Sequence, residues 1–99
     1  MSEVVKAPCP LCSSSAKCEE HLMRRSKHVA CPVCREFVIM AKAAQHISGS
    51  AVQIKERFSA YAAAAPEGTV AFLHFQPNGT GNVPTVLGEY LSLQEALAR

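Results

Sequence analysis

Five cysteines lie within the first 34 residues of this 99-residue chain, and four of them form two pairs of one design, Cys9-Pro10-Leu11-Cys12 and Cys31-Pro32-Val33-Cys34. Two thiols on a tight turn can both aim at one point, and the proline after the first thiol steadies that turn by fixing its own φ. Two such turns offer four soft ligands, the donor set of a tetrahedral zinc site with bonds of about 2.3 Å. The 18 residues between Cys12 and Cys31 suit a hairpin or a loop that brings the pairs together. The pattern therefore predicts one structural zinc ion on Cys9, Cys12, Cys31 and Cys34. Zinc binding by such turns is worth roughly 10–16 kcal/mol at neutral pH, against about 5–15 kcal/mol for the whole stability of a small domain. Four thiolates leave no open position for water, so hydrolysis at the metal is not expected. The rival reading is a disulfide or redox pair of thioredoxin type. That motif needs a strand–helix–strand setting, and neither pair precedes a convincing helix.

Other residues between the pairs invite sharper readings. Cys18 and His21 form a Cys-X-X-His pair that could exchange with a ligand or start a second site, although no third Cys-X-X-Cys follows Cys34. The plainer reading is a loop cysteine and a surface histidine. Lys17, Arg24, Arg25, Lys27 and His28 could clamp phosphates. Glu19 and Glu20 partly offset them, no aromatic residue stands among them to stack on a base, and a solvated inter-pair loop is the simpler account. His46 and His74 are isolated. No Gly-X-Ser-X-Gly or phosphate-binding glycine loop occurs, so an enzyme, with Cys18 as an activated thiol, ranks third.

With its pairs Cys9-Pro10-Leu11-Cys12 and Cys31-Pro32-Val33-Cys34 followed by Phe37-Val38-Ile39, the chain resembles the zinc-ribbon and zinc-knuckle proteins of bacteria and phages. Its spacer is also similar to that of the N-terminal zinc domain of the ClpX unfoldase chaperone, which binds adaptors and substrates. The resemblance covers residues 4 to 40 and implies one bound zinc and contact with a protein or a nucleic acid. Many family knuckles carry Gly after the second cysteine, where φ can be positive; this chain has Ser13 and Arg35 there.

The elements that would position these thiols follow from periodicity. Val4 and Val5 start a brief strand, Ser13 to Ser15 form a turn, and Phe37 to Ile39 form a strand. Ala41 to Ile47 makes one or two helical turns. Ala51, Ile54, Phe58, Tyr61 (or Ala62) and Ala65 mark one stripe of a longer helix, with Ser50 and Gln53 as a capping box and Pro66 and Gly68 as its stop. Val70 to Phe75 reads as an interior strand, Gln76 to Asn82 as a reversing loop, and Val86, Leu87 and Tyr90 as a returning strand. Ser92 and Glu95 cap a short last helix.

Composition sets the frame. Apolar residues are 48% and charged ones 18%, a globular balance, and a formal net charge of +2 is too small to argue for nucleic acid alone. No signal peptide is evident and the apolar runs are far too short for a membrane span, which places the chain in a reducing cytoplasm where paired cysteines favour metals. The expected fold class is α+β. A zinc-ribbon-like module (1–40) packs against an extension (41–99) made of a helix at about 51–65, a strand pair at about 70–91 and a short helix at 93–98. Its core would be Phe37, Ile39, Ile54, Phe58, Tyr61, Phe72, Leu73, Phe75, Leu87 and Leu91. The expected function is a non-enzymatic, zinc-structured interaction module for another protein; the alternative is nucleic-acid binding through residues 24–28.

Overall fold

The computed structural model describes residues 4–21, 25–76 and 85–98. In chain order the elements are β1 (Val4–Pro8), β2 (Ser15–His21), β3 (Ser26–Cys31), β4 (Arg35–Met40), α1 (Ala41–Ser48), α2 (Val52–Ala63), β5 (Val70–Gln76), β6 (Thr85–Leu91) and α3 (Leu93–Ala98). The six strands form one sheet in the order β1-β2-β3-β4-β5-β6. Strands β1 to β4 are an antiparallel meander, β4 and β5 run parallel, and β5 and β6 are antiparallel. A parallel junction needs a crossover of helical length, and α1 with α2 supplies it.

One register row explains why the sheet holds together. Val5, Cys18, Val29, Phe37, Ala71 and Tyr90 are successive cross-strand partners from one edge to the other. Because side chains alternate along a strand, this row and its neighbours two residues away share a face. Phe37, Ile39, Ala71 and Leu73 on that face pack with Ala43 and Ile47 of α1 and Ala62 of α2. On the opposite face Val38, Val70 and Phe72 pack with Ala96 of α3, flanked by Leu93 and Leu97. Strand β4 is therefore covered on both sides, which is why Phe37, Val38 and Ile39 are all apolar and all fully buried.

The sheet overturns the expected fold class. A small ribbon packed on a helix and a separate hairpin is not what forms; the molecule is dominated by one mixed sheet. The deciding contacts are Phe37, Val38 and Ile39 against Ala71, Phe72 and Leu73, partners more than thirty residues apart in sequence that no local pattern pairs. The polar stretch after the first cysteine pair, read most simply as a loop, is mostly β2 and β3, with Ala16, Cys18 and Val29 buried between polar neighbours.

Helix α2 keeps the later part of its expected stripe, with Phe58 and Tyr61 packed against the core, but not the earlier part. Ile54 is 41% exposed and Val52 64%, and Leu87 on β6 is 40% exposed, so Ile54 and Leu87 do not join the core. The buried positions are Ala62 and, just past the helix, Ala65. The capping box is absent: Ala51 is the N-cap with no side-chain bond, and the Ser50 hydroxyl donates to the His46 carbonyl instead. At α3 the Glu95 amide does donate to Ser92 Oγ, at 3.2 Å. The expected reversing loop at 76–82 lies outside the described residues beyond Gln76.

The C-terminal half of α2 is seated on β6 by a close approach. Tyr61 and Tyr90 stack with centroids 4.4 Å apart, and the Tyr90 hydroxyl donates to the Tyr61 carbonyl at 2.8 Å. This requires Gly88, where a Cβ would come 2.7 Å from the Tyr61 ring. Gly88→Ala is expected to lower stability by about 1–3 kcal/mol, read as a lower urea midpoint with an unchanged slope.

Candidate metal centre

The two cysteine turns meet at one end of the sheet. The first joins β1 to β2 and the second joins β3 to β4, so the β2–β3 hairpin carries them to the same place. The Sγ atoms of Cys9, Cys12, Cys31 and Cys34 all lie within 4.8 Å of one another. Cys9 and Cys34 are 3.8 Å apart, Cys12 and Cys31 3.4 Å. Four sulfurs at about 2.3 Å from one zinc stand about 3.8 Å apart, and a disulfide would need about 2.05 Å. All five cysteines are free thiols. Cys9, Cys31 and Cys34 are buried and Cys12 is half-buried.

Each turn is held by contacts of its own. The Ser13 amide donates to the Cys9 carbonyl and the Cys9 amide to the Ser14 carbonyl, both at 2.8 Å. The Val33 amide approaches Cys31 Sγ at 3.4 Å. The residue after the second cysteine is left-handed in both turns, with φ of 64° at Ser13 and 67° at Arg35. These are the two positions where many zinc knuckles place glycine, so the turn geometry is kept without it. For Arg35 the strain has a visible use: its guanidinium donates to the Ala63 carbonyl at the end of α2 and to the Ala65 carbonyl just past it, at 3.3 and 3.4 Å.

Protonation differs across the cluster. Burial pushes the Cys9 thiol up to about 11, despite the Leu11 and Cys12 amides that favour its thiolate. Burial also raises Cys34, against a hydrogen bond from Ser59. At Cys12 burial pushes the same way, but the Ser14 hydroxyl and amide and the Cys31 and Cys34 thiols outweigh it and bring the thiol down to about 6. Such a cluster takes up a cation by exchanging protons for it.

The remaining predicted residues do not gather here. Cys18 is a buried core thiol on β2, raised by desolvation and eased by Lys27. His21, at the end of β2, places Nε2 2.9 Å from Glu19 Oε1. Neither belongs to the four-sulfur group, and no second group of three or more metal-binding side chains occurs among the described residues. The basic residues are divided. Lys27 points to the face of Cys18 and Val29 and stands 3.8 Å from Glu20, whereas Lys17 and His28 lie on the other face, His28 at 3.9 Å from Glu36. Arg25 is exposed in the turn between β2 and β3, and Arg24 lies outside the described residues.

Two contributors were invisible in the sequence pattern. Ser14 belongs in sequence only to a turn, and Ser59, 25 residues beyond Cys34, places Oγ 2.9 Å from Cys34 Sγ. In comparisons with known proteins, no protein-family model, no curated protein and no solved structure matches this chain.

Two outcomes follow from this geometry. Ser13→Gly relieves a left-handed residue and is expected to raise the stability of the metal-loaded protein by about 0.5–1 kcal/mol in urea unfolding. Arg35→Gly relieves the same strain but loses both carbonyl contacts and brings no gain. The second outcome concerns pH. Near about pH 7 the metal-free cluster carries protons on Cys9 and Cys34, which binding must release, so affinity climbs by at least about 100-fold per pH unit. Below about pH 6, where Cys12 is protonated too, the dependence steepens. Zinc-buffer competition from about pH 5.5 to about pH 8 measures the slope.

Proposed function

We propose that Cys9, Cys12, Cys31 and Cys34 hold one structural zinc ion, and that the chain is a zinc-structured module that engages another protein. The observation that carries the metal reading is the convergence of four sulfurs within 4.8 Å, at separations suited to one tetrahedral ion. Zinc fits best among common metals because an all-thiolate tetrahedron satisfies it without any redox requirement. A reducing compartment such as the cytoplasm is the setting in which this thiol set stays available. The closed shell makes the ion a structural element and leaves recognition to the surface around it.

A cleft between the two knuckles and α2 supports the protein-binding reading. It is lined by Leu11, Cys12, Val33, Val52 and Ser59 together with Lys55, and Val33 is 55% exposed. Apolar side chains in a concavity held by a rigid metal site suit a protein ligand better than a nucleic acid. The basic residues, by contrast, are divided between two faces and have glutamates close by, so no specific observation favours the nucleic-acid alternative.

Elemental analysis of purified protein is expected to return one zinc per chain, falling to none in Cys34→Ala and remaining at one in Cys18→Ala. Exhaustive chelation should abolish cooperative unfolding of the β1–β4 region. In crosslinking from native cytosol, Val33→Asp and Val52→Lys should each lose a partner that the wild type retains, with zinc content unchanged. A fully folded, metal-free wild type would overturn the metal reading, and recovery unaffected by both surface substitutions would overturn the docking site.

A further inference from the structure

Ser59 is the only serine in α2, and its hydroxyl oxygen lies 2.9 Å from Cys34 Sγ. Cys34 itself is fully buried, so water cannot substitute for that contact. Once Cys34 is a metal-bound thiolate it is an acceptor only, and the hydroxyl is then the donor. The next residue, Arg35, donates to carbonyls at the end of the same helix. The second knuckle therefore holds α2 at two places, from two adjacent residues whose backbone the turn fixes.

The helix has need of such ties. Its exposed Val52 and Ile54 contribute little burial, and Ala62 is its one fully buried side chain. Tyr61 on Gly88 and Tyr90 secures the far end, while the middle of the helix meets the knuckle through Ser59. Val52 and Ser59 both line the cleft beside Cys12, so a change in how α2 is seated changes that surface as well.

We propose that Ser59 is the outer-shell positioning residue of the metal centre: its hydroxyl donates to the Cys34 thiolate, slows loss of the ion, and makes the seating of α2 depend on metal occupancy. The inference rests on the four-cysteine metal reading and extends it to a residue outside the ligand set. Outer-shell hydrogen bonds to metal ligands commonly govern affinity by about 10- to 100-fold. An effect through helix propensity alone predicts the opposite sign for α2 exchange and no change in the cobalt spectrum, because alanine is the better helix former at that position. The two readings therefore separate cleanly in one substitution.

The test uses the full chain loaded with zinc, and with cobalt as a spectroscopic substitute. Ser59→Ala is expected to speed metal transfer to a competing chelator by about 10-fold or more and to move the thiolate-to-cobalt charge-transfer band to longer wavelength, because the sulfur lone pairs lose a donor. Amide hydrogen exchange in α2 should rise in the metal-loaded variant toward that of the chelated wild type. Ser59→Thr, which keeps the hydroxyl, should restore all three, and Gln53→Ala on the exposed side of α2 should change none. Wild-type transfer rate and cobalt spectrum in Ser59→Ala, or α2 exchange in the wild type that is indifferent to chelation, would overturn the proposal while leaving the metal site itself standing. A wild type that binds neither zinc nor cobalt would remove the metal reading on which it rests.

Discussion

Four sulfur atoms converge in a space where four thiolates cannot coexist unaided. At an effective dielectric of about 20, two like charges 4 Å apart repel by about 4 kcal/mol, and six such pairs exist among four groups. Protons or a cation must therefore occupy the cluster, and the split between the raised Cys9 and Cys34 and the lowered Cys12 is the proton solution. A divalent cation is the other, and it brings with it a fixed tetrahedral geometry. Everything at this end of the molecule is arranged around that condition. The two turns accept left-handed residues at Ser13 and Arg35, amides at Leu11, Cys12 and Val33 face sulfur, and the sheet delivers the turns to one place.

The sheet and the four-cysteine cluster are consequently one mechanical object. The β2–β3 hairpin separates the two turns along the chain and reunites them in space, and β4 leaves the second turn directly into the buried centre of the fold. Cys31, Cys34 and Cys9 are part of the same apolar cluster as Phe37 and Leu73. Phe37 therefore joins the cluster to the core, and Arg35 and Ser59 join it to α2. Burial of the four cysteines also shields the sulfurs from water and oxidants, with Cys12 the most accessible of them.

Much of the chain's local structure is readable because its causes are local. Phe37 to Ile39 and Val70 to Phe75 are apolar on both faces, so they belong inside a sheet. Proline and glycine bound the long helix, and Ser92 signals the start of α3. The failures are equally physical. From Ser15 to Ala30 polar residues occur on both faces, and the buried apolar residues described there, Ala16, Cys18 and Val29, are too small or too widely spaced to announce two strands. Ile54 and Leu87 are apolar but remain about two-fifths exposed, since burial depends on what another element presents. Lys17, Lys27 and His28 are close in sequence, but alternation along β2 and β3 divides them between the two faces.

The sequence by itself determined which four thiols gather, because each Cys-Pro-X-Cys turn is organised within a few residues and points both of its sulfurs one way. Only the tertiary structure decided that β4 and β5 pair in parallel, that the N-terminal meander and the C-terminal strands form one sheet, and that Ser59 meets Cys34. Those contacts join residues tens of positions apart. Their free energy comes from shape and burial assembled from several elements at once, a quantity that no short stretch of residues contains.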